Sequence, residues 1–366
     1  MKKADNLNDF LIHDIKDNGP MAFGAFMAHA LCHPEYGYYV TRDPFGVNGD
    51  FTTAPEISQM FGEMVGAWVV DIWMQMGQPK RFNLIECGAG RGTLMADILR
   101  VSAQVGGFLP AVQIKIIEAS QTMQDIQAKA LEGAPVKWAT GIDACAVDEP
   151  CIILGNEFLD ALPLEQVRFI NGAWTQCYVD HDGDDFVQKW SDIQPNIETY
   201  LPKVKTHAAI YEIAPSRSEF IKQCSLLLQK AGGAGLFIDY GYAKTMHGDT
   251  VQAVKKHEYV PVLETPGESD ITAHVDFETL IDIANENGME TAKLVTQGDF
   301  LRSLGIEHRA NALINTILKH GGAPQMKLGA QNIQNDLNRL IDDKQMGQLF
   351  KVMCFYNGYP LKPAGF

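Results

Sequence analysis

Basic residues are scarce in this chain. Of its 366 residues, 30 are Lys or Arg and 45 are Asp or Glu, so the formal net charge is −15. Binding to a nucleic-acid backbone depends on clustered Lys and Arg side chains. The composition therefore disfavours a nucleic-acid partner. An acidic protein suits a basic or neutral partner better, such as a protein segment that presents Arg or Lys.

Paired cysteines are also missing. The seven cysteines are scattered along the chain, and no two of them form a C-x-x-C pair. An odd, unpatterned set in a chain of this length is typical of reduced thiols in a cytosolic protein. We therefore predict neither a disulfide framework nor a metal site.

Long apolar runs are absent as well. No stretch reaches about 20 apolar residues, the length that a membrane-spanning helix needs. The N-terminus has two lysines but no apolar run after them, so it does not resemble a signal peptide. It also lacks the Arg-rich, acid-poor character of an organelle transit peptide. We expect a soluble, cytoplasmic protein with no membrane insertion.

What the sequence does contain is an alternation of short apolar runs with helical segments. Strands are predicted at 82–87, 113–118, 136–138, 151–155 and 236–240, with helices at 93–104 and 120–131 between the first of them. Two runs, 165–169 and 174–179, predict an antiparallel ribbon, and LFKVMCFYNG predicts a last strand. Strands that alternate with helices imply an α/β fold, in which helices cover both faces of a mostly parallel sheet.

The segment LIECGAGRGTL contains the most informative motif. A strand ends at Glu86, and Gly88, Gly90 and Gly92 follow before a helix begins. Glycine permits a sharp turn and the close approach of a ligand. A nicotinamide fingerprint would place the third glycine three residues after the second, and a carboxylate at Glu86 would repel a pyrophosphate but suits the ammonium group of a methionine. The motif predicts a site for S-adenosyl-L-methionine (SAM) in a methyltransferase, although a tight loop without a ligand has the same pattern.

Two further acidic residues follow the next strands. Glu118 ends the strand after the glycine motif, where a carboxylate can accept both ribose hydroxyls of an adenosine. Asp143 follows the third strand and could accept a hydrogen bond from the adenine amine. The alternatives are a solvated charge at a strand end for Glu118 and an ordinary turn residue for Asp143.

The fourth strand, in CIILGNEFLDALP, predicts the acceptor side of the site. It places Asn156, Glu157 and Asp160 at the carboxyl edge of the sheet, and Glu212 ends another apolar run in IYEIAP. If Glu157 and Glu212 converge on one pocket, they would bind a guanidinium acceptor and offset its repulsion from the sulfonium. The alternative is that these two carboxylates cap the helices that follow them.

Two more candidates for catalysis lie further along the chain. Asp239, in FIDYGY, is expected at the same edge of the sheet. His274, in TPGESDITAHVDF, could act as a general base. A single histidine of this kind is more often a structural hydrogen-bonding residue.

At this point the chain resembles a known family, the MidA-like methyltransferases, which are bacterial and mitochondrial relatives of the complex I assembly arginine methyltransferase. The resemblance extends from about residue 11 to residue 358. The segments that carry it are GPMAFGAFMAHALCHPEYGYY, GDFTTAPEISQMFGE, ECGAGRGTL, GNEFLDALP, FIDYGY and PGESDITAHVDF.

The resemblance implies a class I SAM-methyltransferase fold. This is a Rossmann-like, mostly parallel seven-stranded sheet with an N-terminal helical element and helical insertions. It also implies SAM as cofactor and, in eukaryotic relatives, dimethylation of an arginine on a complex I subunit. Thr53 falls in the segment 49–58, which in such enzymes closes over the cofactor. The other positions that match family motifs are Gly88, Gly90, Glu118, Asn156, Glu157 and Asp239.

These expectations divide the chain into four parts: an N-terminal helical or lid segment (1–58), a SAM-binding core with an inserted ribbon near 165–205 (59–245), a helical and loop region on the substrate side (246–345), and a final core strand (346–366). No mitochondrial presequence precedes the first motif, which suggests a bacterial member. The segment GDTVQAVKKHEY is less basic than expected for the family. A homodimer is possible.

Three functional hypotheses result. The first is a SAM-dependent protein arginine methyltransferase that acts on a complex I subunit or a related protein. The second is a methyltransferase for a small amine or other cation. The third is a SAM-binding assembly chaperone with little turnover. A dehydrogenase is disfavoured by Glu86 and by the spacing to Gly92.

Overall fold

A computed structural model describes residues 5–42, 50, 52–145, 148–319 and 324–366. Gly49 and Phe51, which belong to the expected segment that closes over the cofactor, lie outside the described residues. None of the described helices is long and apolar enough to cross a membrane.

The strands in chain order are β1 (Met21–Ala22), β2 (Phe82–Cys87), β3 (Val112–Ile117), β4 (Val136–Ala139), β5 (Cys151–Asn156), β6 (Glu165–Ile170), β7 (Ala173–Asp182), β8 (Asp185–Asp192), β9 (Ile210–Ile213), β10 (Gly233–Tyr242), β11 (Gln252–Lys255), β12 (Glu258–Val260), β13 (Asp270–Thr272), β14 (Val275–Asp276), β15 (Glu290–Thr291), β16 (Val295–Thr296) and β17 (Phe350–Asn357).

The helices are α1 (Leu7–Asn18), α2 (Phe23–Cys32), α3 (Tyr38–Thr41), α4 (Ala54–Ile57), α5 (Gln59–Gln75), α6 (Thr93–Ser102), α7 (Phe108–Ala111), α8 (Gln121–Ala130), α9 (Pro215–Ala231), α10 (Phe277–Glu286), α11 (Gln297–Ser303), α12 (Ile306–Lys319), α13 (Pro324–Ile341) and α14 (Met346–Leu349). A 3₁₀ helix covers Pro195–Tyr200.

The central sheet confirms the predicted α/β fold. Its strand order is β15-β17-β10-β5-β2-β3-β4, with β14 beside β10 and β16 beside β17. Strands β10, β5, β2, β3 and β4 are parallel, whereas β17 runs antiparallel to β10. The chain goes outward from β2 to β4 and returns to β5, so its direction reverses between β2 and β5. In such a sheet, ligands bind at the carboxyl ends of the strands where this reversal occurs.

Alternate residues of the central strands point to opposite faces of the sheet and pack into two separate hydrophobic cores. In β2, Leu84 packs with Trp68 of α5 and Ile98 of α6. Its neighbour Ile85 packs on the opposite face with residues of α9 and α10, including Leu280. Because successive side chains of a strand point to opposite faces, a strand that is apolar throughout must be covered on both sides.

A second, antiparallel sheet has the order β1-β7-β6-β9, with β8 beside β7. The predicted ribbon is therefore part of a larger sheet. In particular, β9 pairs with β6, so that Gln166 lies opposite Glu212. The apolar run that ends near Glu212 therefore does not belong to the central sheet.

The N-terminal helices connect this second sheet to a third one. Apolar side chains of α1 and α2, such as Leu11 and Phe26, form a core with Val179 of β7 and Ile271 of β13. The third sheet has the order β12-β11-β13. This packing brings α3 and β13 over the carboxyl edge of the central sheet.

Candidate functional site

A cavity of about 420 Å³ lies at the carboxyl ends of β2, β3 and β5. The glycine motif contributes Gly88 and Gly90 to its wall, and α3 and the third sheet close the other side. Its polar lining residues are Tyr39, Glu118, Ser120, Thr140, Glu157, Asp160, Tyr240, Gln252, Asp270 and Thr272.

The glycine motif turns as its sequence predicts. Gly88, Gly90 and Gly92 have φ values of 63°, 51° and 84°, the left-handed region that glycine occupies without a steric penalty. A Cβ on Gly88 would lie 2.8 Å from the ring of Phe158. Gly92 precedes the first residue of α6 and packs against α8 rather than lining the cavity. Two of the three glycines therefore face the ligand space.

A smaller space of about 30 Å³ lies on the other side of the motif, and Thr53, Glu86 and Asn156 line it. Glu86 is 3% exposed, and burial raises its pKa to about 8. Glu86 Oε2 and Asn156 Oδ1 are buried, and neither has a hydrogen-bond partner among the described residues. A buried acceptor without a donor is costly, so these two atoms are suited to a ligand that brings N–H groups.

Glu118 lies where the sequence predicts, directly after β3, and it lines the cavity. Its Oε1 accepts from the Ser120 N–H at 2.8 Å and its Oε2 from Gln127 Nε2 at 3.1 Å. Burial raises the Glu118 pKa above its usual value, against the effect of these hydrogen bonds. The fixed carboxylate keeps free lone pairs for a hydroxyl-bearing ligand.

Asp143 does not lie at this site. It is exposed and absent from the cavity lining, to which the turn after β4 contributes Thr140 instead. Its carboxylate lies next to Gly141 in the turn after β4. The turn points the side chain outward, so the alternative of an ordinary turn residue describes Asp143 better.

Glu157 has an unusual backbone. Its φ of 50° is positive, a conformation that costs a non-glycine residue of order 1–3 kcal/mol and occurs most often at functional sites. Its Oε1 accepts from the Ala54 N–H at 2.8 Å and from Asn156 Nδ2 at 3.1 Å. Desolvation and the nearby charge of Asp160 raise the Glu157 pKa to about 7. This turn thus places the Glu157 carboxylate between the glycine motif and α4.

Asp239 holds that turn in place. Its side chain is 1% exposed, and its Oδ2 accepts the backbone N–H groups of Phe158, Leu159 and Asp160 at 3.1, 2.9 and 3.1 Å. Oδ1 accepts from the Tyr240 N–H at 2.9 Å. Burial beside other carboxyls raises the Asp239 pKa. The residue does not line the cavity, so its contacts make it a positioning residue rather than the catalytic group that we expected.

Two carboxyls outside the set of predicted site residues lie beside Glu157. Asp160 and Asp270 are each 6% exposed and line the same cavity. Tyr39 donates to Asp270 Oδ1 at 2.6 Å, and burial together with the charge of Asp160 raises the Asp270 pKa to about 8. We call Glu157, Asp160 and Asp270 the acceptor cluster. Asp160 was noticeable at the end of β5. Tyr39 and Asp270 lie in the distant segments HPEYGYY and TPGESDITAHVDF, and neither sequence shows that the two meet.

The expected convergence of Glu157 and Glu212 is wrong. Glu212 lines a different cavity, of about 650 Å³, between the second sheet and the helices α9 and α10. Its carboxylate accepts from Thr250 N at 2.7 Å, Thr250 Oγ1 at 2.5 Å and Val251 N at 3.1 Å. Because β9 joins the antiparallel sheet, the end of this strand is not at the carboxyl edge of the central sheet.

His274 lines the same second cavity rather than the acceptor cluster. Its backbone N–H donates to Thr250 Oγ1 at 3.0 Å, and its ring lies edge-on to Tyr240 at 5.4 Å. Burial and the charge of Arg217 lower the His274 pKa. These contacts are typical of a structural histidine, and they do not place the ring of His274 at the cavity beside the glycine motif.

Comparison with known proteins identifies the chain. A family model described as "Putative S-adenosyl-L-methionine-dependent methyltransferase" matches residues 64–295. The chain belongs to this family. It is a SAM-dependent methyltransferase, as the glycine motif predicts.

Curated relatives of this methyltransferase match almost its whole length. The chain is 32% identical over 370 residues to the mouse protein named protein arginine methyltransferase NDUFAF7, mitochondrial, covering 93% of this chain and 82% of that protein. The human protein of the same name is 31% identical over 374 residues, with 94% and 82% covered. A crystal structure from Burkholderia thailandensis, bound to S-adenosyl-homocysteine, superposes with a TM-score of 0.84 at 24% identity and covers 98% of this chain and 94% of that one, which shows the same fold.

The site of the methyltransferase fits SAM. The left-handed glycines leave no Cβ between the motif and the cavity, and the unpartnered oxygens of Glu86 and Asn156 match a ligand with an ammonium group. When bound, the cofactor supplies a methyl group that is activated by a positive sulfur. None of the described residues that line the 420 Å³ cavity is Lys or Arg. The carboxyl groups therefore set the charge of this end of the cavity.

Proposed function

We propose that this methyltransferase transfers a methyl group to an arginine side chain of a protein. The observation that carries the proposal is the acceptor cluster, in which three carboxyls line one cavity whose described lining has no basic residue. Bringing a cationic acceptor next to a sulfonium places two like charges together. Carboxylates on the acceptor side offset that repulsion and match the fork of a guanidinium.

The same proposal assigns the binding of SAM. Glu86 and Asn156 would receive the methionine ammonium group through their unpartnered oxygens, and Glu118 would accept the ribose hydroxyls. Thr53 would close the space beside Glu86, since the two residues line it together. Gly88 and Gly90 would let the cofactor lie against the backbone.

A protein acceptor is supported by the names of the curated relatives, which are protein arginine methyltransferases. A complex I subunit as the particular substrate, action in a bacterial cytoplasm and a homodimeric state are finer parts of the same proposal. The curated relatives named above are mitochondrial.

The test is methyl transfer into a lysate from cells that lack this protein. Purified enzyme and SAM with a labelled methyl group are added, and the labelled band is analysed by mass spectrometry. We expect the label on an arginine side chain. Label on lysine or only on small molecules would contradict the proposal, and the latter would favour a methyltransferase for small cations. A partner protein captured without label transfer would favour a chaperone.

A further inference from the structure

Of the three carboxyls in the acceptor cluster, Asp160 has a fully buried oxygen without a hydrogen-bond partner among the described residues. Oε1 of Glu157 accepts from Ala54 N–H, and Oδ1 of Asp270 accepts from the Tyr39 hydroxyl. Oδ1 of Asp160 is buried and has no hydrogen-bond partner among the described residues. Since Asp160 lines the cavity and a buried acceptor without a donor is costly, a ligand is expected to supply the missing donor.

The position of this oxygen is fixed by contacts on both sides of the residue. The Asp160 N–H donates to Asp239 Oδ2 at 3.1 Å. Its carbonyl accepts from Arg217 Nη2 at 2.9 Å and from the Ala273 N–H at 3.2 Å. The carboxyl itself is hydrogen-bonded to the Tyr240 hydroxyl. A group held in this way loses little freedom when it meets the reacting atoms.

We propose that Asp160 binds an N–H of the acceptor guanidinium through Oδ1 and takes the proton that this nitrogen loses. The inference rests on the proposed function. The acceptor nitrogen forms a bond to the methyl carbon while the carbon–sulfur bond breaks and its electron pair stays on sulfur. One N–H proton passes to Asp160, so the methylated side chain remains a cation and the carboxyl becomes neutral.

The surroundings of Asp160 suit a group that first pairs with a cation and then holds a proton. Burial raises its pKa above the ordinary range of an aspartate, and the Tyr240 hydroxyl and the Arg217 charge oppose this effect. Other carboxyls nearby disfavour a lasting negative charge at this position. The titratable and charged groups that interact with it are Tyr39, Glu157, Arg217, Asp239, Tyr240 and Asp270.

The test compares Asp160→Asn with the wild-type enzyme on an arginine peptide from the methylated protein. Asparagine retains the volume and both backbone contacts. We expect kcat to fall about 100-fold or more, the range of general acid–base catalysis, while SAM affinity measured by calorimetry stays within about threefold. Asp343→Asn, at an exposed position outside both cavities, is the matched control and should leave both quantities unchanged.

A binding measurement gives a second readout that does not depend on turnover. The peptide is titrated into enzyme with S-adenosyl-homocysteine, in two buffers that differ in ionisation enthalpy. The number of protons exchanged on binding should change in Asp160→Asn but not in Asp343→Asn. If Asp160→Asn no longer binds SAM, Asp160→Ser is the second variant.

The outcomes distinguish a failure of the proposed function from a failure of the role assigned to Asp160. Wild-type enzyme that methylates no arginine overturns the proposed function and this proposal together. Wild-type enzyme that methylates arginine, with an unchanged kcat and unchanged proton exchange in Asp160→Asn, overturns this proposal alone. A reduced kcat with altered proton exchange supports it.

Discussion

The substitution Glu157→Gln tests the electrostatic role of the acceptor cluster. In the wild-type protein the Ala54 N–H donates to Glu157 Oε1 at 2.8 Å. Glutamine retains an oxygen that can accept this hydrogen bond, but it carries no charge. At a contact distance of about 4 Å and an effective dielectric constant near 20, a pair of unit charges contributes roughly 4 kcal/mol. Because 1.36 kcal/mol corresponds to a tenfold change in rate, the full effect is about 1,000-fold.

Two structural facts reduce that figure. Desolvation raises the Glu157 pKa to about 7, so near neutral pH about half of the groups are already protonated. Asp160 and Asp270 would still carry part of the acceptor charge. We therefore expect kcat/KM for an arginine peptide to fall about 100- to 1,000-fold, and by less near pH 7 than at a pH above the Glu157 pKa.

The assay is initial-rate methylation of the peptide, with SAM affinity measured separately by calorimetry. SAM affinity should stay within a few-fold of the wild-type value. The free energy of unfolding at the same pH should not fall, because a carboxyl whose pKa is raised by burial destabilises the folded state when it ionises. Glu132→Gln, at an exposed position outside the cavities, is the control. A Glu157→Gln enzyme within about threefold of the wild type in kcat/KM would refute the reasoning.

Three further predictions concern other parts of the molecule. Gly88→Ala should weaken SAM binding at least tenfold in calorimetry, because its Cβ would lie 2.8 Å from Phe158 beside the ligand space. Gly133→Ala is the control and should bind SAM normally: it has a comparable backbone strain of roughly 1–2 kcal/mol at positive φ, but no atom of the described residues lies within 4 Å of its Cβ. Glu212→Gln should leave kcat for the arginine peptide within a few-fold of the wild-type value, because Glu212 lines a different cavity. Loss of methyl transfer in a stably folded variant would make Glu212 a catalytic candidate again. Burial beside other carboxyls raises the Asp270 pKa to about 8, so kcat/KM for the cationic acceptor should rise as the pH passes through that value. Over the same range the free energy of unfolding of the ligand-free protein should decrease, because the folded state must give up a proton that it binds more tightly than the unfolded state does. A kcat/KM that does not change with pH would show that the acceptor cluster binds no cation.

The geometry of the glycine motif and the place of Glu118 could be predicted from the sequence because both depend on local structure. The glycines of the motif need a left-handed backbone directly after β2, and φ values of 63°, 51° and 84° at Gly88, Gly90 and Gly92 agree with this need. Glu118 ends the next parallel strand, so its place at the same edge depends only on the βαβ connection. Neither inference requires knowledge of distant contacts.

The acceptor half depended on pairings between distant segments. The run Ile210–Ile213 has the apolar pattern of a central strand, yet this strand, β9, pairs with β6 of the second sheet. Glu212 therefore lines a different cavity from Glu157. The hydrogen bond between Tyr39 and Asp270 joins residues 231 positions apart. Apolar periodicity determines that a segment is buried, but not which neighbour buries it. The sequence by itself therefore determined where the glycine motif turns and that Glu118 lies at the same edge of the sheet, while only the tertiary structure decided which carboxyls line one cavity.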